Sequence, residues 1–519
     1  MLALHESKLE LKMVRFSVFV VLAVVVAQPV WGQDKPAAAG SPEQKTARHL
    51  ESVRNQPSLL HAFLAEMPKG GDLHNHLSGA IYAESFIKFA VQDGLCVDRN
   101  ALVLLSPPCD SEKGKPAASV AYQDVGLYGR MLDAFSMRQF HPGPESGHDH
   151  FFATFGKFGA ASGAHTAEML AEAKSRAATD HLQYMELMFN PDGGEAGKLG
   201  ARLGWNDDLG KMRDRLLAGG FPQILAQASK FLDDTEKKEQ QEMQCGRPQA
   251  APGCSVQARY LYQVSRGLSK EVVFAQILAG FEMALRDPRV VGLNLVMAED
   301  WYVPIHDFNL HMQVLDFLHS LYPKVHVTLH AGELTPDLVP PEELFHIRAS
   351  VEKGHAERIG HGVDVMRESN PEALLREMAR KNVLIEICLT SNDVILNVTG
   401  NRHPLPMYLR FGVPVTLATD DAGVSRSDIT AEYQRATETY HLNYADLKKM
   451  VRASLAYSFL PGESLWKDPA KGVRAQACAS DNAKSVKTSS GCDKLLAVSE
   501  KARQEWTLEK AFVQFESRF

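Results

Sequence analysis

The chain has 519 residues, 45% of them apolar and 23% charged, with a formal net charge of -7. These values describe an ordinary globular protein long enough for one large domain or several small ones. The acidic balance leaves no basic stripe for phosphate backbones, which argues against nucleic-acid polymers as partners.

At the N-terminus, Lys12 and Arg15 precede an apolar run from Phe16 to Ala27, and Val30-Trp31-Gly32 resembles a small-residue cleavage site before Gln33. This is the pattern of a signal peptide over 1–32, with Met13 as a compatible start. The run is short for a bilayer-spanning helix, which needs about 20 residues. An uncleaved anchor is the alternative, and no later segment is apolar enough to span a membrane. The protein is therefore expected to be exported, either periplasmic or secreted. Residues 33–43 read as a linker and 44–66 as an amphipathic helix.

Eight short apolar or alternating segments follow, near 71–77, 182–189, 258–266, 290–297, 325–331, 358–363, 383–389 and 414–420. Stretches with helical spacing lie between most of them, such as EVVFAQILAGFEMAL and PEALLREMARKN. Strands alternating with helices imply a parallel sheet, and eight such units suggest closure into a (β/α)8 barrel, one domain over 44–519. Regions near 92–128, 191–256 and 461–495 exceed what a minimal barrel needs and are expected to be surface insertions. The charged piece DDTEKKEQQEMQ reads as a solvated face. Each insertion holds a close cysteine pair, Cys96/Cys109, Cys245/Cys254 and Cys478/Cys492, which suits local disulfides in an oxidising compartment. Cys388, in the apolar run VLIEICLTSN, is expected to be a buried free thiol.

The chemistry-bearing residues fall where strands end. His74 and His76, in MPKGGDLHNHLSGA, are two apart and so face the same side of a strand. His330 ends the fifth strand, His361 the sixth, and Asp420 with Asp421 the eighth. His74, His76, His330 and Asp420 form a set suited to Zn²⁺, one ion per chain, although Co²⁺ and Fe²⁺ share such ligands. Singly, His330 could be a core histidine and Asp420 a loop cap. Glu333 leaves the fifth strand through the Ala331-Gly332 turn; burial would raise its pKa and make it a general acid, a helix cap being its structural alternative. His361, between two glycines, could act as a base or as an electrostatic stabiliser. One of the adjacent carboxylates at 420 and 421 would bind metal, and the other would meet substrate or water.

The segments MPKGGDLHNHLSGA, LHAGE, RIGHG, CLTSN and ATDD occur in the order found in adenosine deaminases of the amidohydrolase superfamily, and YMELMFNP and VVGLNLVMAED resemble two further family blocks. The resemblance covers about residues 60 to 440. It implies a mononuclear zinc hydrolase that replaces the 6-amino group of adenosine with oxygen, giving inosine and ammonia. It assigns Glu333 to proton donation at N1, His361 to the hydroxide, and Asp421 to the hydroxide and N7. Dinuclear relatives commonly carry a bridging lysine on the fourth strand; LNLVMAED has none, so one metal is expected.

Two positions depart from the family pattern. Ser78 stands where a carboxylate usually engages the ribose 5′-hydroxyl, so a 5′-substituent would be repelled less. Met297 stands where glycine is usual, and its side chain must turn away or narrow the pocket. His76, Ser78, Met297 and Asp421 are the expected substrate contacts. The partner is a small purine nucleoside, adenosine and 2′-deoxyadenosine, with AMP, a 5′-modified adenosine or adenine as alternatives. A non-catalytic secreted binding or signalling protein is a further alternative. No oligomeric state follows from the sequence.

Overall fold

A computed structural model describes residues 40–485 and 487–519. The signal peptide read over 1–32, and most of the linker after it, lie outside the described residues. Pro42–Phe519 forms one compact unit. Among the described residues no helix is long and apolar enough to cross a membrane.

Eight parallel strands build the core: β1 (Gly70–His76), β2 (Leu182–Phe189), β3 (Gln257–Ser265), β4 (Val290–Val296), β5 (His326–Ala331), β6 (Arg358–His361), β7 (Leu384–Ile387) and β8 (Val415–Leu417). Each is hydrogen-bonded to the next in chain order. The expected barrel is thus observed, with all eight strands close to their predicted places. β1, β4, β6, β7 and β8 are buried along their whole length, as strands must be when helices cover one side and the barrel fills the other. The ring closes through a bridge between Asn75 and Asp420. There Asp420 N donates to His74 O at 2.8 Å and His76 N donates to Asp420 O at 3.2 Å.

Outside the barrel, the predicted helix over 44–66 is two helices, α1 (Pro42–Val53) and α2 (Pro57–Glu66). Proline at 57 has no N–H to continue a helix and pushes its predecessor out of helical geometry; Gln56 has φ -124° and ψ 87°. At the other end of α2, the buried Lys69 ammonium donates to the carbonyls of Leu64, Met67 and Asp180 at 2.7, 3.0 and 2.9 Å. That pins the helix end beside the start of β1. Helix α3 (Gly147–Phe158) lies in the connection between β1 and β2, and α4 (Leu389–Leu396) follows β7.

The insertions carry structure of their own. The first holds a two-residue hairpin, Cys96–Val97 with Leu104–Leu105. The second is helical, with Glu195–Leu203, Leu209–Ala218 and Phe221–Glu242. The last of these carries most of the DDTEKKEQQEMQ piece, with Thr235 and Glu239 on its buried side. The third holds the hairpin Trp466–Asp468 with Val473–Arg474. All three cysteine pairs form disulfides, and Cys388 is free and buried.

The third insertion is held to the C-terminal helix α5 (Glu500–Glu516) by Glu505, whose carboxyl accepts from Ser464 Oγ at 2.7 Å and from Leu465 N at 2.5 Å. Burial pushes this carboxyl up to about 7. A folded-state pKa above the unfolded value means that the stabilisation is complete below about pH 4.5 and is lost as pH rises through 7. The loss amounts to about 3 kcal/mol. Urea titrations between pH 4.5 and 7.5 should show wild type losing this much relative to Glu505→Gln; parallel pH profiles would refute the assignment.

Candidate metal centre and active site

His74 and His76 point into the barrel from one edge of β1, as the two-residue spacing requires. His330 Nε2 at the end of β5 lies 3.0 Å from His74 Nε2 and 3.1 Å from His76 Nε2. Asp420 Oδ1 completes the group, 3.2 Å from His76 Nε2 and 3.5 Å from His74 Nε2. Four donor atoms from three distant stretches therefore converge on one point.

The hydrogen bonds behind these rings decide what the point can hold. His330 N donates to Asn294 Oδ1 at 2.9 Å, so that atom is an acceptor, and His330 Nδ1, also 2.9 Å away, must donate to it. His74 Nδ1 donates to Glu386 Oε2 at 2.7 Å. Nδ1 of both rings is therefore a donor, and the two Nε2 atoms face each other at 3.0 Å. Such a contact is repulsive unless a proton or a metal cation lies between. Asp420 Oδ1 is buried with no hydrogen-bond partner in the protein, while Ser391 Oγ donates to the other oxygen, Oδ2, at 2.6 Å. Three imidazoles and a carboxylate, three of the four backed by a close hydrogen-bonded neighbour, fit a divalent metal.

Electrostatics point the same way. Burial opposes charge on His74, but hydrogen bonds and Coulombic attraction from Asp420 and Glu386 outweigh it and lift the ring to about 10. Burial also opposes ionisation of Asp420, and the two β1 histidines reverse that and hold its carboxyl well below the usual range. His330, buried among imidazoles, is pushed well below its ordinary value. The cluster attracts positive charge and keeps His330 available as a neutral ligand.

Around the cage lies a pocket of about 260 Å³. Ser78, Gln263 and Ser265 supply neutral polar groups, and Glu333 and Asp421 supply carboxyls. The apolar wall comes from Phe151, Phe152 and Phe155 of α3, Ile395 of α4, and Trp301. Burial raises Glu333 and Asp421 well above the carboxylate range, with Asp420 adding to both effects. The turn at Glu333 is held by Glu299, which accepts from Gly332 N at 3.2 Å and Glu333 N at 2.8 Å. Asp421 sits against Gly79, where a Cβ would overlap its carboxylate. Met297, with φ +81°, lines the pocket and its thioether lies against Gly267, so it narrows the cavity. His361 is fully buried, its ring centroid 4.9 Å from His74 and 5.2 Å from His330, and it is not among the residues lining the open pocket.

Sequence reasoning passed over Asn294, Glu386, Ser391, Asn392 and the three phenylalanines of α3. Glu386, inside the apolar run VLIEICL, carried a signal: a lone carboxylate on a strand buried on both faces needs a partner. The α3 phenylalanines carried none, because they read as core.

The model of the adenosine deaminase family matches residues 222–467, just under half of the chain. The adenosine deaminase of Pectobacterium atrosepticum is 32% identical over 192 residues, 37% of this chain and 52% of that protein. That of Plasmodium gallinaceum is 34% identical over 138 residues, 26% of this chain and 36% of that protein. The matches thus span about half the length of the first relative and less of the second. The apo N6-methyl-AMP deaminase of Arabidopsis thaliana is 20% identical and superposes with a TM-score of 0.50, covering 77% of this chain and 94% of that one. That likeness is one of fold. The matched stretch includes His330, Glu333, His361, Asp420 and Asp421 and omits His74 and His76, which barrel closure returns to the same point.

Replacing Glu386 by Gln removes the charge that orients His74. Metal affinity, read by chelator competition, should fall by about 10–100-fold with the fold intact by circular dichroism. Unchanged affinity would show that His74 is not a ligand.

Proposed function

We propose that this chain, whose residues 222–467 match the model of the adenosine deaminase family, is an exported, zinc-dependent deaminase converting adenosine and 2′-deoxyadenosine to inosine forms and ammonia. The observation that carries the reading is the convergence of His74, His76, His330 and Asp420 beside Glu333 and Asp421 in one pocket. A divalent cation on those four ligands would supply a Lewis-acid centre at which water turns acidic near neutral pH. An N₃O donor set suits Zn²⁺.

The protein's own groups do the rest. Glu333, kept protonated by burial, donates its proton to N1 of the purine as oxygen adds to C6. Asp421, also raised, lies where it can hydrogen-bond the purine edge at N7. The C6–amino bond then breaks and the amine leaves as ammonia with a proton returned from the site, so that one water is consumed. The aromatic wall receives the base, and Ser78, Gln263 and Ser265 offer neutral partners to the sugar.

The lining favours a nucleoside over a nucleotide. Among the described residues that line the pocket there is no lysine or arginine, while Glu333, Asp420 and Asp421 all face it. A phosphate dianion there would lose its hydration without gaining a countercharge. Three disulfides, together with the N-terminal signal pattern, support an oxidising, external compartment.

Purified protein offered adenosine, AMP and adenine should release ammonia fastest from adenosine; faster release from either of the others would overturn the substrate. Glu333→Gln should lower kcat by roughly 10²–10⁴-fold while metal content stays at one per chain. Parallel loss of metal would make Glu333 a ligand and not the acid.

A further inference from the structure

The CLTSN segment reaches the site twice. Ser391 holds Asp420, as described, and the next residue, Asn392, turns toward His361. Asn392 Nδ2 lies 3.0 Å from His361 Nδ1, and Asn392 Oδ1 lies 3.1 Å from His403 Nε2. His403 Nδ1 in turn lies 3.1 Å from the backbone N of Leu405. His361, Asn392 and His403 are all buried.

One end of this series has no freedom. The Leu405 N–H can only donate, so His403 Nδ1 must accept. Burial holds His403 down at about 4, so the ring is neutral and its one proton is on Nε2. That N–H donates to the Asn392 carbonyl, which turns the amide N–H₂ toward His361 and makes His361 Nδ1 an acceptor. The opposite amide orientation would set two N–H donors face to face between the buried His403 and Asn392. Glu333 Oε1 is 3.6 Å from His361 Nδ1, too far to compete as a hydrogen-bond partner. His361 Nε2 is left buried with no protein partner.

We infer that His403 and Asn392 are positioning residues that hold His361 in the tautomer protonated at Nε2, so that it presents an N–H donor beside the cage and not a lone pair. The tautomer follows from the hydrogen bonds alone; its part in turnover rests on the deaminase reading above. In that reaction His361 stabilises the incoming oxygen by donating to it, and the proton leaving that oxygen goes to a carboxylate. Of the two roles open to His361 from the sequence, stabiliser and base, this network selects the first.

Long-range proton–nitrogen NMR of protein labelled with ¹⁵N-histidine, metal-free and zinc-loaded, reads the tautomer directly. The His361 signals are identified by their loss in His361→Gln. Wild type should show His361 protonated at Nε2 and bare at Nδ1. In Asn392→Asp the carboxylate accepts from Nδ1, so the signature should reverse, and kcat should fall roughly 10²–10⁴-fold with KM little changed. His403→Gln, which can still donate to Asn392, should keep the wild-type signature, and His403→Phe should lose it. A wild-type His361 protonated at Nδ1, or an unaltered signature in folded Asn392→Asp, overturns the inference. A wild type that deaminates none of the purines sinks the proposed reaction, while the spectrum still decides the tautomer.

Discussion

Two main-chain hydrogen bonds carry the structure: Asp420 N to His74 O and His76 N to Asp420 O. They close the barrel, and they do so at the residues whose side chains form the cage. A slip of one residue in this pairing would present Thr419 or Asp421 in place of Asp420 and would dismantle both at once. The closure is tight. Asp420 has φ +57° and His361 φ +69°, left-handed conformations costing non-glycine residues about 1–3 kcal/mol each. A Cβ at Gly360 would come within 2.4 Å of the His74 ring. Strand-end strain here is the consequence of bringing side chains from β1, β5 and β8 to one point.

Behind the cage the barrel interior is charged where an apolar filling is usual. Arg358 Nη2 meets Glu186 Oε2 at 2.5 Å, and its Nε lies 2.7 Å from Glu386 Oε1. Glu386 also accepts from Thr328 at 3.1 Å and from His74. Glu186 further accepts from Tyr184 at 2.8 Å and from Phe459 N at 2.7 Å. All of these side chains are buried, so each ion is tolerated because it faces an opposite charge. One guanidinium stands against two carboxylates, and Asp420 adds a third at the top of the column. A divalent cation held at the cage would offset that excess.

The rim of the pocket is built from the connections above this base. Helix α3 brings its phenylalanines over the pocket and is tied to the loop after β4 by a 2.9 Å contact between His148 and Asp300. Phe152 against Trp301, with ring centroids 5.7 Å apart, adds a second tie. Chemistry thus sits on strand ends and selectivity on connections, a division that a (β/α)8 barrel permits because its loops vary without disturbing its strands.

What could be read without the fold follows from local rules. Alternating strand and helix periods located the eight strands, and His74 with His76 declared a shared face because a strand repeats every two residues; the apolar spacing conceals the break at Pro57, so that two helices read as one. Cysteine proximity located the disulfides. What the amino-acid sequence alone determined was therefore the barrel and the identity of the polar residues at its strand ends. Only the tertiary structure decided which nitrogen of each ring faces the cage. It also brought Glu386, Asn294 and Asn392 behind those rings and turned the α3 phenylalanines into a pocket wall. These depend on atoms from 31 residues apart, for Asn392 with His361, to 312 apart, for His74 with Glu386, meeting within hydrogen-bond distance, and no local period encodes such a meeting.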